Sequence, residues 1–118
     1  MLHHVSIEIA PEQVADCVAC WQLLGFERLE APPEIAKYVT WLEHDGTQIH
    51  LIHTEEPTVP ALGHPAVAVD DYDKAVAALE QAGIGYEHHQ QLWGQPRGFV
   101  VIPGGHRVEV MAAPPPPS

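Results

Sequence analysis

Basic side chains are scarce in this chain: five Lys and Arg stand against 16 Asp and Glu, giving a formal charge of −11 over 118 residues. Such a surface repels phosphate backbones and anionic bilayers, so nucleic acid and membrane surfaces are excluded as principal partners. Long apolar runs are missing too. No stretch of about 18 apolar residues is available to span a bilayer, and the start, Met1-Leu2-His3-His4, lacks a basic segment leading into an apolar one. A cytoplasmic protein is expected. Cysteine is limited to Cys17 and Cys20, three apart in a helical pattern. They are too few for a thiolate zinc site and read as small apolar residues on the underside of a helix. Glycine forms no phosphate loop, because Pro103-Gly104-Gly105 joins strand to strand without a helix dipole to receive an anion. Spacing yields no Ser-His-Asp or Cys-His nucleophile.

What the chain does have is repetition. Residues 4–27 (HVSIEIAPEQVADCVACWQLLGFE) lie on residues 64–87 (HPAVAVDDYDKAVAALEQAGIGYE) without a gap at an offset of 60. Residues 45–52 (DGTQIHLI) lie on residues 104–111 (GGHRVEVM) at an offset of 59, which sets His50 opposite Glu109. Each half therefore opens with a histidine and closes with a second potential ligand. A chain of this length allows one domain or two modules of about 55 residues, which must share a core to stay folded.

Periodicity gives the order of elements. Residues 3–10 alternate Val5, Ile7 and Ile9 with His4, Ser6 and Glu8, the pattern of a strand. From Pro11 the period changes: Val14, Cys17, Val18, Trp21 and Leu24 mark a helix that stops at Gly25. Strands are predicted over 26–30, 37–43 and 47–54, with a turn at Asp45-Gly46. The second half repeats the order: a strand at 64–69, a helix at 71–82 capped by Asp70 or Asp71, and strands at 84–88, 98–102 and 106–111. The modules span 1–54 and 64–112, residues 55–63 link them, and 113–118 form a proline-rich, solvated tail. On this register Val5, Ile7, Ile9, Ile49, Leu51, Val67, Val69, Val108 and Val110 face the helices. His4, His50, His64 and Glu109 then point to the opposite face of their sheets. His53 shares parity with Ile49 and Leu51 and points away from that face. It is grouped with His3, His44, His88, His89 and His106 as surface or rim residues.

The order of these pieces resembles the vicinal oxygen chelate superfamily, which includes glyoxalase I, bleomycin and fosfomycin resistance proteins and extradiol dioxygenases. The resemblance covers residues 2–112 and rests on LHHVSIEI opening the first module and LLGFE after its helix, then on GHPAVAV and WGQPRGFVVIPGGHRVEV in the second. It implies an α+β fold of two βαβββ modules, with mixed curved sheets forming an open cup and helices outside. It implies metal ligands at His4, His50, His64 and Glu109. His50 departs from the glutamate frequent at that position in glyoxalase I-like members. The usual Asp-Pro-Asp-Gly turn is here Ile102-Pro103-Gly104-Gly105, without its carboxylates.

Three imidazoles and a carboxylate suit a divalent Zn, Ni, Co, Fe or Mn, with two positions of an octahedral ion left for substrate oxygens. Glu109 is the first candidate base, since a carboxylate that loosens from a metal can take a proton, and Glu8 is the second. Arg97, Trp93, Tyr38, Trp41 and Phe99 are candidate substrate-binding residues, Arg97 for an anionic group. The expected function is a metal-dependent isomerase, epimerase or lyase acting on a small oxygen-chelating metabolite. The alternative is a metal-free sequestration protein of bleomycin-resistance type. Extradiol cleavage fits less well, because it uses two histidines and one carboxylate. A homodimer is expected. The sequence leaves open whether the cup closes within one chain or between two.

Overall fold

A computed structural model describes residues 1–117. In chain order they form β1 (His4–Ile9), a tight turn of 3-10 helix (Pro11–Gln13), α1 (Val14–Leu23), β2 (Glu27–Leu29), β3 (Val39–His44) and β4 (Thr47–His53). The second module supplies β5 (Ala66–Ala68), α2 (Tyr72–Gln81), β6 (Tyr86–His89), β7 (Arg97–Val101) and β8 (Arg107–Met111). Each module makes one open four-stranded mixed sheet, in the orders β1-β4-β3-β2 and β5-β8-β7-β6. The β1–β4 and β5–β8 pairs are parallel and the others antiparallel. The α+β fold of two βαβββ units is thus the one the repeat implies.

Local chemistry explains where the boundaries moved. Helix α2 begins on Asp71, whose side chain accepts from the Lys74 backbone N–H at 3.1 Å, the usual satisfaction of a free N-terminal donor. The first helix has no side-chain cap, and its Pro11 opening tightens into the 3-10 turn before regular α-helix starts at Val14. Strand β5 is shorter than the expected 64–69. Pro65 has no N–H to donate; its carbonyl accepts from Glu109 N at 3.0 Å, and the regular ladder starts only at Ala66.

Alternation then sorts each sheet into two faces. All nine residues expected to face the helices do so: Ile7, Ile9, Ile49, Leu51, Val69, Val108 and Val110 are in one apolar cluster, with Val5 and Val67 packed against it. The same cluster takes in Cys17, Cys20 and Trp21 of α1 and Ala75 and Leu79 of α2. Residues of both modules thus share it, and the opposite face of each sheet is turned away from it. Burial pushes the Cys17 and Cys20 thiols up to about 12 and about 11, so both stay protonated and unreactive at neutral pH. The apolar reading of these cysteines holds.

The junction between modules is tight. The loop before β8 brings Gly104 so close to β1 that a Cβ there would stand 2.8 Å from Ile9 Cδ1, and its φ of +105° is one that side chains rarely adopt. His106, grouped with the surface histidines above, is instead only 3% exposed and donates from Nε2 to the Glu8 carbonyl at 2.7 Å. The polarity of histidine suggested a rim position. Its hydrogen bond across the junction satisfies the ring and lets it be buried.

Gly98 carries a second steric demand. A Cβ there would collide with the Glu87 carbonyl oxygen and stand 2.5 Å from the Tyr86 hydroxyl. That hydroxyl is itself fixed, 2.5 Å from the Tyr72 hydroxyl and 3.4 Å from the Val110 carbonyl it donates to. Gly98→Ala is therefore expected to cost about 2–3 kcal/mol, read as a lower urea midpoint at unchanged slope. An unchanged midpoint would show that the β6–β7 pair yields freely.

Candidate metal centre

The face of each sheet turned from the helices carries the polar residues. In the first module, β1, β4 and β3 put His4, Gln48, His50 and Trp41 on that face, with Trp41 directly across from His50. The rings form a stack. Centroids of His4 and His50 are 3.9 Å apart at 16°, and those of His50 and Trp41 are 4.5 Å apart at 12°. His50 Nε2 donates to Gln48 Oε1 at 2.7 Å, and His4 Nδ1 lies 2.9 Å from His3 Nδ1. Burial, then the neighbouring imidazoles of His4 and His3, hold the His50 pKa below its ordinary value of 6.5. Each of these factors penalises an added proton, so His50 stays neutral, as a metal ligand must.

The lowered value has a consequence for folding. Between it and 6.5 the unfolded chain binds a proton that the folded chain refuses, so this contribution to stability is full above 6.5 and declines as the pH falls through that window. Urea midpoints are expected to drop from pH 7.5 to pH 5, and to drop less in His50→Asn. Equal drops in both proteins would assign the effect to other groups.

In the second module β8 supplies Glu109, and the segment before β5 supplies His64. His64 Nδ1 lies 2.9 Å from the Leu62 carbonyl, which can only accept, so this nitrogen carries the hydrogen. The ring's other nitrogen, Nε2, lies 3.2 Å from Glu109 Oε1. A proton on Nε2 closes this contact as a hydrogen bond, and a metal cation held by both atoms would take the place of that proton. At that separation both atoms could be held by one ion. The other carboxylate oxygen, Oε2, receives Arg97 Nη1 at 3.2 Å, and Arg97 Nε donates to the Gln90 carbonyl. Arg97 thereby fixes the orientation of Glu109, as groups that back a metal ligand do.

The four sequence candidates thus arrive as two pairs, His4 with His50 and His64 with Glu109. Among the described residues no group of three or more His, Cys, Asp or Glu side chains is placed to hold a metal ion. Glu8 lies on the open face of the first sheet, but its Oε1 accepts from Thr58 N at 3.0 Å, which ties it to the linker. Phe99 stands directly across from Glu109 and meets the edge of His64 at 4.9 Å between centroids. Trp93 donates to the Ala113 carbonyl at 2.9 Å and lies 5.9 Å from the Arg97 guanidinium, so the tail is anchored at its first residue. Ser118 of the predicted tail lies outside the described residues. Tyr38 is 55% exposed ahead of β3 and shares parity with Thr40, on the helix side. His53, as its parity requires, bonds Thr40 and the Lys37 carbonyl away from the open face. The sequence reading passed over Gln48 and Arg107, although parity with His50 and Glu109 puts them on the same open faces.

The chain matches the family model described as Glyoxalase/Bleomycin resistance protein/Dioxygenase superfamily over residues 2–110. Among solved structures it is similar to one described as a glyoxalase family protein from Bacillus anthracis, at 23% identity and a TM-score of 0.84, covering 94% of this chain and 93% of that one. It is similar to lactoylglutathione lyase from Agrobacterium tumefaciens at 17% identity and a TM-score of 0.70, over 94% and 92% of the two chains. A bleomycin resistance determinant encoded on the transposon Tn5 aligns at 14% identity and a TM-score of 0.64, over 91% and 94%. No curated protein sequence is similar enough to match. The TM-scores show a common fold, and the family model extends through all eight strands but the last residue of β8: the chain belongs to the glyoxalase/bleomycin resistance protein/dioxygenase superfamily.

Proposed function

We propose that this protein is a metal-dependent enzyme of the vicinal oxygen chelate type, an isomerase, epimerase or lyase of a small oxygen-chelating metabolite. We further propose that it works as a cytoplasmic homodimer. The observation that carries the reading is the pairing of His64 Nε2 with Glu109 Oε1, with Arg97 bracing the carboxylate from behind. A lone surface glutamate needs no such support. His4 and His50 of one subunit and His64 and Glu109 of its partner would hold a first-row divalent ion: Zn, Ni, Co, Fe or Mn. Their mixed nitrogen and oxygen donors suit these ions. Such an ion, when bound, polarises a substrate carbonyl and stabilises the charge that develops on its oxygen.

The chain's own groups do the rest. Glu109 would be the base: Arg97 keeps Oε2 in place, which leaves Oε1 as the oxygen that can exchange its other contacts for a proton. Glu8, the other candidate, is held by the linker and serves the junction instead. Trp41 and Phe99 give the cup flat apolar walls that exclude water, and Arg97 with Trp93 closes one side. The stacked Trp41, His50 and His4 rings also favour a second reading, a metal-free protein that sequesters a flat ligand. Metal content of protein purified without a histidine tag separates the two. About one ion per chain, lost as the pH falls below about 6, supports the enzyme. Sub-stoichiometric metal after incubation with each of the five ions leaves the sequestration reading.

A further inference from the structure

The five basic residues of this chain are not scattered evenly. Arg97 and Arg107 both lie on the open face of the second sheet, on either side of Phe99, with guanidinium carbons 6.0 and 4.2 Å from its ring centroid. Their situations differ. Arg97 is engaged by Glu109 and the Gln90 carbonyl. Arg107 has no ion pair and no side-chain hydrogen bond among the described residues, although it is only partly exposed and the chain carries 16 carboxylates. The nearby Glu87 bonds His89 rather than Arg107. The guanidinium instead lies against Phe99 and lines a cavity of about 410 Å³ together with Gly85, Tyr86, Glu87, Phe99 and Val101. That volume suits a single-ring metabolite. A half-buried cation left without a carboxylate, over an aromatic floor, is suited to an incoming planar oxyanion, which its fork of N–H donors matches in two parallel hydrogen bonds.

We propose that Arg107 is the anion-binding end of the site and fixes the substrate class: a flat molecule bearing a carboxylate. Arg107 and Glu109 are two residues apart on one face of β8. The strand rise puts their Cα atoms about 7 Å apart, so one small molecule held by Arg107 could reach toward the His64–Glu109 pair. This rests on the reading of His64 and Glu109 as the chelating end. The subsite itself needs no metal.

The test uses the metal-stripped full chain, with benzoate as the probe and backbone amide NMR shifts as the readout. Benzoate is expected to move the signals of residues 85–87, 99–101 and 107 with a millimolar dissociation constant. Neutral benzamide should bind at least about tenfold more weakly, since it loses the charge-assisted pair. Arg107→Gln should erase that discrimination. Arg107→Lys, which keeps the charge but not the fork, should retain part of it and serves if the glutamine variant does not fold. Equal binding of benzoate and benzamide, unchanged benzoate affinity in Arg107→Gln, or no shifts up to about 20 mM would overturn the proposal. Cyclohexanecarboxylate binding as well as benzoate would overturn the requirement for a flat ring. Because the metal is absent throughout, these outcomes are independent of metal content, which tests the catalytic reading.

Discussion

Equal amounts of His50→Ala and His64→Ala protein, each nearly devoid of metal alone, are expected to regain about one quarter of the wild-type metal when refolded together. The fraction follows from symmetry: random pairing makes about half the dimers mixed, and each mixed dimer has one undamaged site of its two. The basis is the arrangement of donors, His4 and His50 on the open face of one sheet and His64 and Glu109 on that of the other, with no three of these groups together in one chain. Closing the set within a chain would need the two sheets to leave a core they share. Closing it between chains needs only that one module's open face meets the partner's other module. Metal analysis after gel filtration reads the outcome. No recovery in a mixture confirmed to contain mixed dimers would place the site within single chains or nowhere.

His64→Ala alone is expected to weaken metal binding by about 100-fold or more, since losing even a group that only supports a ligand typically costs 10–100-fold. His64 is the better position to probe than Glu109. Removing the carboxylate would also strand the guanidinium of Arg97, whose side chain is 11% exposed, and so mix a folding defect with a binding one. Among the described residues the imidazole's hydrogen bonds are to the Leu62 carbonyl and Glu109 and its ring partner is Phe99, so its loss should leave the urea midpoint nearly unchanged. Equilibrium dialysis against a metal buffer gives the affinity. Wild-type affinity in the variant would remove His64 from the donor set, and with it the rationale for the second pair.

Much of this was legible in the chain because alternation with a period of two is a strong code. Once Ile7, Ile9, Ile49 and Leu51 are placed on the helix side, the pleat leaves His4 and His50 nowhere to go but the other face. The second block of the repeat, at an offset of 59, then carries the assignment from Ile49, His50 and Leu51 to Val108, Glu109 and Val110. What escaped had physical causes. Ladder ends depend on single hydrogen bonds, which is why Pro65 shortened β5 and an uncapped start turned residues 11–13 into a tighter helix. The burial of His106 depends on a carbonyl 98 positions away, a contact no local pattern contains. Arg107 and Gln48 were within reach, since parity alone puts them beside the candidate ligands.

The shared packing of both modules against one apolar cluster has a further consequence. In an assembly closed between two copies, each working centre exists only while the subunits are associated, so the number of complete centres follows the law of mass action in protein concentration. Below the dissociation constant, doubling the protein would quadruple the assembled centres. Abundance itself would then act as a control on the chemistry, with no effector bound.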